Sequence, residues 1–287
     1  MNQMLMGGED EILKIDLEGY WNWYWQGKNL VDRELYEEAI ACFDKALYFR
    51  PDDYWAWYKR SKALHDAGRY EEAIASFDKT LSIRPDDCWA WYKRGCLALE
   101  DLDEFEEAIA SFDKVLAVKP TDYWGWFWRG EALRHLKRYS EALASYDKAL
   151  VVRSHDYSAW SRRGDALRHL KRYDDALASY DRALQEPESD YWAWYKRGDV
   201  LRYLKRYDDA IASYDKVLAS QPDDEYAWYN KACCYALLGY QDLAIESLQN
   251  AIRLHPGEFK TLAKTDSDFA QLRGNKRFQA LLQGSIH

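Results

Sequence analysis

Three arginines at equivalent positions are the first residues whose type and spacing could do chemistry. Each follows an acidic residue by three positions, in the pairs Glu131 with Arg134, Asp165 with Arg168, and Asp199 with Arg202. Stacked guanidinium groups could hold the carboxylates of an acidic partner through charge-assisted hydrogen bonds. The same spacing also describes an ordinary ion pair on a helix surface, which contributes ~0.2–0.5 kcal/mol. Both interpretations stay open from the sequence.

Other reactive side chains lack the neighbours that catalysis needs. His135 and His169 occupy matching positions, but packed helices lie roughly 8–10 Å apart, too far for both to bind one metal ion. The five cysteines form no CxxC pair, and none has a base in sequence context. Glycine-rich phosphate loops and HExxH or GxSxG motifs are also missing. We therefore expect no catalytic, cofactor-binding or metal-binding residues, and a protein that is not an enzyme.

Composition narrows the class of protein further. The net charge of −9 argues against nucleic-acid binding, which depends on a surplus of lysine and arginine. With 14 tryptophans and 23 tyrosines, the chain is rich enough in aromatic residues to need a specific explanation. No linker rich in glycine, serine or proline interrupts the 287 residues, which predicts one continuous structured unit.

The same sequence predicts a cytoplasmic location. No run of about eighteen apolar residues occurs, so we expect no membrane span, and the first residues lack the features of a secretory signal. An odd number of cysteines fits reduced thiols in a reducing compartment.

Comparison of the sequence with itself reveals one motif repeated along almost the whole chain. The segment PDDYWAWYKRSKAL begins at Pro51 and returns in related form at Pro85, Pro120, Ser154, Glu188 and Pro222. Each copy is followed by a second motif of the type RYEEAIASFDKTL. The period is 34 residues, with one spacing of 35 whose extra residue falls near Leu102–Glu104, between the two halves of the third repeat.

Both halves of each repeat have helical periodicity. Tyr70, Ala73, Ile74, Phe77 and Leu81 recur at steps of three and four residues, which places them on one face of a helix. An aspartate precedes each first helix and predicts an N-cap. These aspartates are Asp53, Asp87, Asp122, Asp156, Asp190 and Asp224.

The repeated positions resemble the signature of the tetratricopeptide repeat family. In the first copy they are Trp23, Gly27, Ala39, Phe43, Ala46 and Pro51. They return as Trp91, Gly95, Ala108, Phe112 and Pro120, and as Trp194, Gly198, Ala210, Tyr214 and Pro222. The style of the repeats is similar to that of cyanobacterial and other bacterial members. The resemblance implies an all-α fold: a right-handed superhelical solenoid of seven helix-turn-helix repeats with capping helices.

The expected organisation has three parts. Residues 1–19 form an N-terminal cap, 20–256 hold the seven repeats, and 257–287 form C-terminal capping helices, because terminal repeats need a cover for their apolar faces. The repeats divide at about 20–53, 54–87, 88–122, 123–156, 157–190, 191–224 and 225–256.

The family resemblance also implies a concave groove lined by the first helix of each repeat, where ligands contact its second, fifth, ninth and twelfth positions. The second positions in this groove are Trp21, Trp55, Trp89, Trp124, Trp192 and Tyr226, and the series is broken by Ser158. The fifth positions are Tyr24, Tyr58, Tyr92, Phe127, Tyr195 and Tyr229. Lys28 and Lys62 at the ninth position, with Arg134, Arg168 and Arg202 at the twelfth, complete the expected peptide-binding groove.

These positions predict a protein–protein interaction scaffold that binds a peptide or helix of a partner protein. A scaffold of this kind could serve as an assembly factor. The rings could instead pack between repeats, whereas the fourth-position tryptophans, from Trp23 to Trp228, are expected in the core with no binding role. Two other functions remain: a self-assembling structural protein, and a protein that stacks single-stranded RNA on the rings, which the net negative charge disfavours. We expect a monomer or weak homo-oligomer.

Overall fold

A computed structural model describes residues 3–186 and 191–284 of the chain. Over these residues it contains sixteen α-helices, one 3₁₀ helix and no strand. The first eight helices are α1 Gln3–Val31, α2 Tyr36–Phe49, α3 Tyr54–Asp66, α4 Tyr70–Ile83, α5 Cys88–Glu100, α6 Phe105–Val118, α7 Tyr123–His135 and α8 Tyr139–Val152. The next six are α9 Tyr157–His169, α10 Tyr173–Ala183, α11 Tyr191–Tyr203, α12 Tyr207–Ser220, α13 Glu225–Leu238 and α14 Gln241–Leu254. Helix α15 Pro256–Thr265, the 3₁₀ helix Ser267–Leu272 and α16 Lys276–Gln283 follow.

Helices α1 to α14 form seven consecutive helix-turn-helix repeats, which confirms the predicted all-α repeat fold. They divide into two compact units, Met1–Val152 with four repeats and Arg153–His287 with three. Helix α1 runs without a break from Gln3 into the first repeat, so the segment expected as an N-terminal cap continues directly into that repeat's first helix.

In five of the repeats the first helix begins at an aspartate, as the sequence predicts. Asp53 accepts a hydrogen bond from the Ala56 backbone N–H at 2.8 Å. Equivalent caps form at Asp87, Asp122, Asp156 and Asp224, while Asp190 lies outside the described residues. Asp87 also accepts a hydrogen bond from the Tyr54 hydroxyl of the preceding repeat, so one carboxylate both caps a helix and joins two repeats.

The turn between the two helices of a repeat depends on one residue in the left-handed region. Gly68 and Gly239 have φ of 75° and 82°, and the corresponding residues elsewhere are Glu34, Asp103, Lys137, Lys171 and Lys205. Such a residue ends a helix by letting the next N–H groups reach its last carbonyls; here Arg69 N–H donates to Leu64 O at 2.9 Å. The extra residue of the third repeat lies in this turn, between Glu100 and Phe105, and leaves both helices intact.

In five repeats the two helices meet where a glycine of the first helix lies against an aromatic ring of the second. A β-carbon added to Gly95 would lie 2.9 Å from Phe112, and one added to Gly130 would lie 2.6 Å from Tyr146. Side-chain volume at this position therefore controls how closely the helices approach. The second repeat carries Ser61 here without loss of the fold, and its serine is fully buried.

Consecutive repeats are joined by a cation on the seventh position of the first helix. Arg60 donates to Asp44 of the preceding repeat at 2.6 Å and to Ser76 of its own second helix at 2.6 Å. The same bridge to the preceding aspartate recurs in the pairs Arg94–Asp78, Arg129–Asp113, Arg197–Asp181 and Lys231–Asp215.

The C-terminal elements pack onto the last repeat. Phe259, Phe269 and Phe278 are buried to within 1% and share one core with Leu248 of α14 and Ala232 of α13. This is the arrangement that a cap requires, because the outer face of a terminal repeat is apolar.

We predict that Gly130→Ala and Gly95→Ala differ in their effect on stability. Tyr146 cannot tilt away from a new methyl group because its hydroxyl donates to Glu131 at 2.6 Å, so Gly130→Ala should lower the free energy of unfolding by about 1–3 kcal/mol. Phe112 has no such anchor, and alanine favours a helix over glycine by about 1 kcal/mol, so Gly95→Ala should be nearly neutral. Urea denaturation of both variants measures the difference, and equal losses would contradict the anchoring argument.

Candidate functional site

The second-position rings are exposed at every described repeat that carries one. Trp55 and Trp89 keep 50% and 56% of their surface open, and Trp21, Trp124, Trp192 and Tyr226 are comparable. The physical reason is helix geometry: residues two apart are about 200° apart around a helix, so a packed fourth position turns the second toward solvent. We call the four rings of the first unit, Trp21, Trp55, Trp89 and Trp124, the aromatic face.

The fourth-position tryptophans do the packing. The Trp57 indole donates its N–H to the Pro51 carbonyl at 2.7 Å, and the Arg60 guanidinium lies over the ring at 5.6 Å. The same N–H bond forms at Trp91, Trp126, Trp160 and Trp228. These rings are half-buried rather than in the interior expected for core residues, but their one polar atom is satisfied inside the repeat.

Neighbouring aromatic residues hold the rings of the aromatic face in place. Trp21 stacks on Trp25 at 6.4 Å between centroids and meets Tyr20 edge-on at 4.9 Å. Trp55 meets Tyr54 edge-on at 4.9 Å. Across repeats, the Trp89 indole N–H donates to the Tyr58 hydroxyl at 2.7 Å. A fixed ring loses little entropy when it binds, which favours a contact role.

The fifth-position rings vary in what they offer a ligand. Tyr24, Phe127 and Tyr229 are buried, with 8% or less of their surface open. Tyr58, Tyr92 and Tyr195 are half-buried. All of them meet an aromatic ring edge-on or tilted, as Tyr58 meets Phe77 at 6.1 Å, so packing accounts for most of their area.

Two lysines that the sequence positions did not single out lie beside the aromatic face. Lys59 and Lys93 occupy the sixth position, one helical turn after the second, so they share its face. Lys59 lines a cavity of about 360 Å³ with Trp21, Trp25 and the predicted Lys28. It also lines one of about 410 Å³ with Lys62, Lys93 and Trp89. The four-residue spacing from Trp55 and Trp89 was the signal that could have found them.

The twelfth-position arginines do not form a row of solvent-facing charges. Arg134 pairs with Glu131 at 3.1 Å. Arg202 donates to Asn230 at 2.7 Å and to Asp268 of the 3₁₀ helix at 2.9 Å. Arg168 and Arg202 line a cavity of about 380 Å³ with Asp199 and Asp268, where arginine and acid balance. Internal contacts therefore occupy much of the hydrogen-bonding capacity of Arg134 and Arg202, whereas the buried Nε of Arg168 has no hydrogen-bond partner among the described residues.

Buried acids at the ninth position hold the later repeats together. Asp165, 7% exposed, accepts hydrogen bonds from the Tyr180 hydroxyl and from Lys196 of the next repeat, both at 2.8 Å. Burial, followed by the nearby Asp165 carboxylate, raises the pKa of Tyr180 well above its ordinary value, so the phenol stays a donor. Lys196 is the sixth-position counterpart of Lys59 and Lys93.

The thiols of Cys96 and Cys234 are not activated. Burial raises the pKa of Cys96 to about 11 and that of Cys234 to about 12, which keeps both protonated at neutral pH. Cys233, Asp266 and Asp268 bring three potential metal ligands within 4.8 Å of one another. Tyr229 donates to Asp266 and Arg202 donates to Asp268, so a phenol and a guanidinium already bond these carboxylates.

Among the helices at 3–186 and 191–284, none has both the length and the apolar character needed to cross a bilayer.

The family model for the tetratricopeptide repeat matches residues 24–87, 92–151, 138–191 and 195–259, most of the chain. The protein therefore belongs to the tetratricopeptide repeat family, and its architecture is that of a protein–protein interaction scaffold. Its sequence matches none of the curated proteins with which it was compared.

Solved structures agree with this fold. The crystal structure of YrrB, described as a TPR protein with an unusual peptide-binding site, is 25% identical, with a TM-score of 0.60 over 66% of this chain and 98% of YrrB. The C-terminal part of a TPR repeat-containing protein from Cytophaga hutchinsonii, 16% identical, has a TM-score of 0.71 over 85% of this chain and 99% of that one. A tetratricopeptide repeat protein from Parabacteroides merdae, 19% identical, has a TM-score of 0.59 over 86% and 98%. The last two show the fold alone.

We predict that Arg202→Met destabilises the protein while Arg206→Met does not. Losing Arg202 removes two charge-assisted hydrogen bonds and leaves Asp268 without its cation, a cost of about 1.5–3 kcal/mol. Arg206 and its partner Asp209 are each about half exposed, so that substitution should change the free energy of unfolding by less than about 0.5 kcal/mol. Urea denaturation compares them; a neutral Arg202→Met would instead mean that this arginine is available to a ligand.

Proposed function

We propose that the protein is a non-catalytic scaffold that binds a peptide segment of a partner protein on the aromatic face. The observation that carries the proposal is that each indole of the aromatic face is about half exposed to solvent. Exposed apolar area costs about 25 cal/mol per Å² in water, and a ligand that covers it recovers that free energy. Tryptophan and tyrosine also recur as anchors in protein interfaces because they bury much area with few rotatable bonds.

The shape of the surface supports a peptide as the ligand. The two cavities of about 360 and 410 Å³ both include Lys59 and so adjoin one another, and they are open clefts rather than one deep enclosure. Their walls combine indole rings with lysine and tyrosine side chains, which suits a ligand with both apolar and polar groups. The description of YrrB as a peptide-binding member of the family is consistent with this assignment.

The non-catalytic part of the proposal rests on the state of the reactive groups. Cys96, the thiol that lines the larger cavity, has a raised pKa and is a poor nucleophile at neutral pH. His65, the imidazole in the same cavity, contacts Asp66 and Asp101 rather than a hydroxyl or thiol that it could activate. We place the protein in the cytoplasm, where its five thiols would stay reduced.

We predict that replacing Trp55, Trp89 and Trp124 together by alanine abolishes peptide binding. Short peptides selected on the native protein from a random displayed library supply the ligand, and fluorescence anisotropy measures their affinity. Removal of three anchors should weaken binding at least about thirtyfold, the effect of one strong interface residue. Circular dichroism should show that the helices survive.

The matched control replaces exposed aromatic residues elsewhere. Tyr48 and Tyr240, at 82% and 53% exposure, lie outside the aromatic face, so Tyr48→Ala with Tyr240→Ala should leave affinity unchanged. Failure to select any peptide, or equal affinity for native and triple-variant protein, would overturn the proposed function.

A further inference from the structure

The side chains at the ninth position differ in charge between the first two repeats and the fifth. In the second unit, Lys196 at a sixth position bonds Asp165 at the ninth position of the preceding repeat, 31 residues earlier, at 2.8 Å. The same spacing in the first unit places Lys59 after Lys28 and Lys93 after Lys62. Where the fifth repeat has an acid to receive the lysine of the sixth, the first and second repeats have another lysine. We call Lys28, Lys59, Lys62 and Lys93 the lysine group.

No carboxylate of the described chain pairs with the lysine group. Lys28 and Lys93 instead lie over indole rings, at 4.8 Å from Trp25 and 4.9 Å from Trp89. By contrast, the seventh-position cations of the same repeats, Arg60 and Arg94, bond aspartates within 2.7 Å. Unpaired ammonium groups on this surface are therefore specific to the lysine group.

The lysines also repel one another. Burial lowers the pKa of Lys59, the nearby Lys62 and Lys28 lower it further, and Asp32 opposes them. The charged form of Lys59 is thus less favourable in the folded protein than in the unfolded chain. A ligand carboxylate placed among these ammonium groups would offset the free-energy cost of burying the Lys59 charge and would reduce the repulsion between the lysines.

Three of the acids near the lysine group have contacts elsewhere. Asp53 caps α3 by accepting the Ala56 N–H. Asp66 and Asp101 contact the two nitrogens of His65, at 3.1 and 3.5 Å, near the C-terminal ends of α3 and α5. Glu100, at the same end of α5, also lines the larger cavity. This cavity therefore has three lysines among its lining residues and three acids, which come from the C-terminal ends of the two helices.

Tyr58 adds a hydrogen-bond donor at the centre of this surface. Its hydroxyl accepts the Trp89 N–H at 2.7 Å, and within the described chain it donates to no acceptor. A hydroxyl fixed in this way by an acceptor role can turn its own hydrogen toward a carbonyl or carboxylate of a ligand.

We propose that the partner segment bound on the aromatic face is acidic, with carboxylates that contact the lysine group and apolar side chains that cover the indoles. This rests on the proposed function and specifies its ligand. A nucleic acid fits the same surface less well, because a continuous phosphate backbone would also meet Asp53, Asp66 and Asp101 and a chain of net charge −9.

The composition of peptides selected from the random library on the full-length native protein tests this proposal. We expect aspartate and glutamate to be enriched together with apolar residues, and the affinity of the selected peptides to fall as salt rises. Selected peptides without acidic enrichment would overturn the acidic partner while leaving the proposed function intact. Binding of a mixed single-stranded oligonucleotide as tight as that of the selected peptides would also overturn it.

The decisive variant carries Lys28→Asp and Lys62→Asp, which copies the Lys196–Asp165 arrangement into the first unit. The new acids should pair with Lys59 and Lys93, so the midpoint of thermal unfolding should rise, while affinity for the selected acidic peptides should fall at least about tenfold. Opposite signs for stability and binding are the expected result. A structural role for the native lysines would instead lower the unfolding midpoint.

The control carries Lys79→Asp and Lys114→Asp, which change the net charge equally on exposed positions of α4 and α6. Affinity for the selected peptides should stay within about twofold of native, since surface charges beyond the Debye length are screened. If the control and the decisive variant lose affinity equally, overall charge explains the effect and the lysine group has no special role. Unchanged affinity in the decisive variant would overturn the proposal even if the Trp55, Trp89 and Trp124 substitutions abolish binding.

Discussion

The rotation of the first helix in each repeat is the constraint on which the rest of the structure depends. It is fixed at the fourth and seventh positions, where Trp57 bonds the Pro51 carbonyl and Arg60 joins the second helices on either side of it. Each ion pair is partly exposed and stabilises the fold only modestly. Their value is geometric, because one orientation satisfies the indole N–H, the guanidinium and the aspartate together.

This orientation decides which side chains meet solvent. With the fourth position packed, the second position faces outward, and in the second and third repeats a sixth-position lysine lies beside its ring. Trp55 and Trp89 remain half exposed, and Lys59 remains beside other lysines. Natural proteins keep such unfavourable arrangements where a ligand completes them. A scaffold of identical backbone geometry can therefore differ in function from one repeat to the next through these positions alone.

Individual repeats show that contrast within one chain. Acids at the ninth position, such as Asp165, bind a tyrosine and a lysine and become part of the internal packing. Lysines at the ninth position leave the neighbouring sixth-position lysine without a partner. In our proposal, this change of charge sign turns a joint between repeats into a surface for an acidic ligand, while the small residue at the eighth position, such as Gly130 against Tyr146, still governs how the helix pair packs.

The sequence by itself determined the repeat number, the helix pairs, the aspartate caps at Asp53 and its equivalents, and the position of the inserted residue in a turn. These features are local: they follow from periodicity and from residues within four positions of one another. It also indicated the second-position tryptophans, since register alone separates them from the fourth-position set. Only the tertiary structure decided which charged side chains pair with other residues of the protein. Arg202 meets Asp268 across 66 residues of chain, and Lys59 lies near Lys28 across 31, and neither relation is visible until helices pack. Charge pairing depends on distance in space, and for this reason our proposal places the basic subsite on the lysine group, whereas the sequence placed it partly on the arginines.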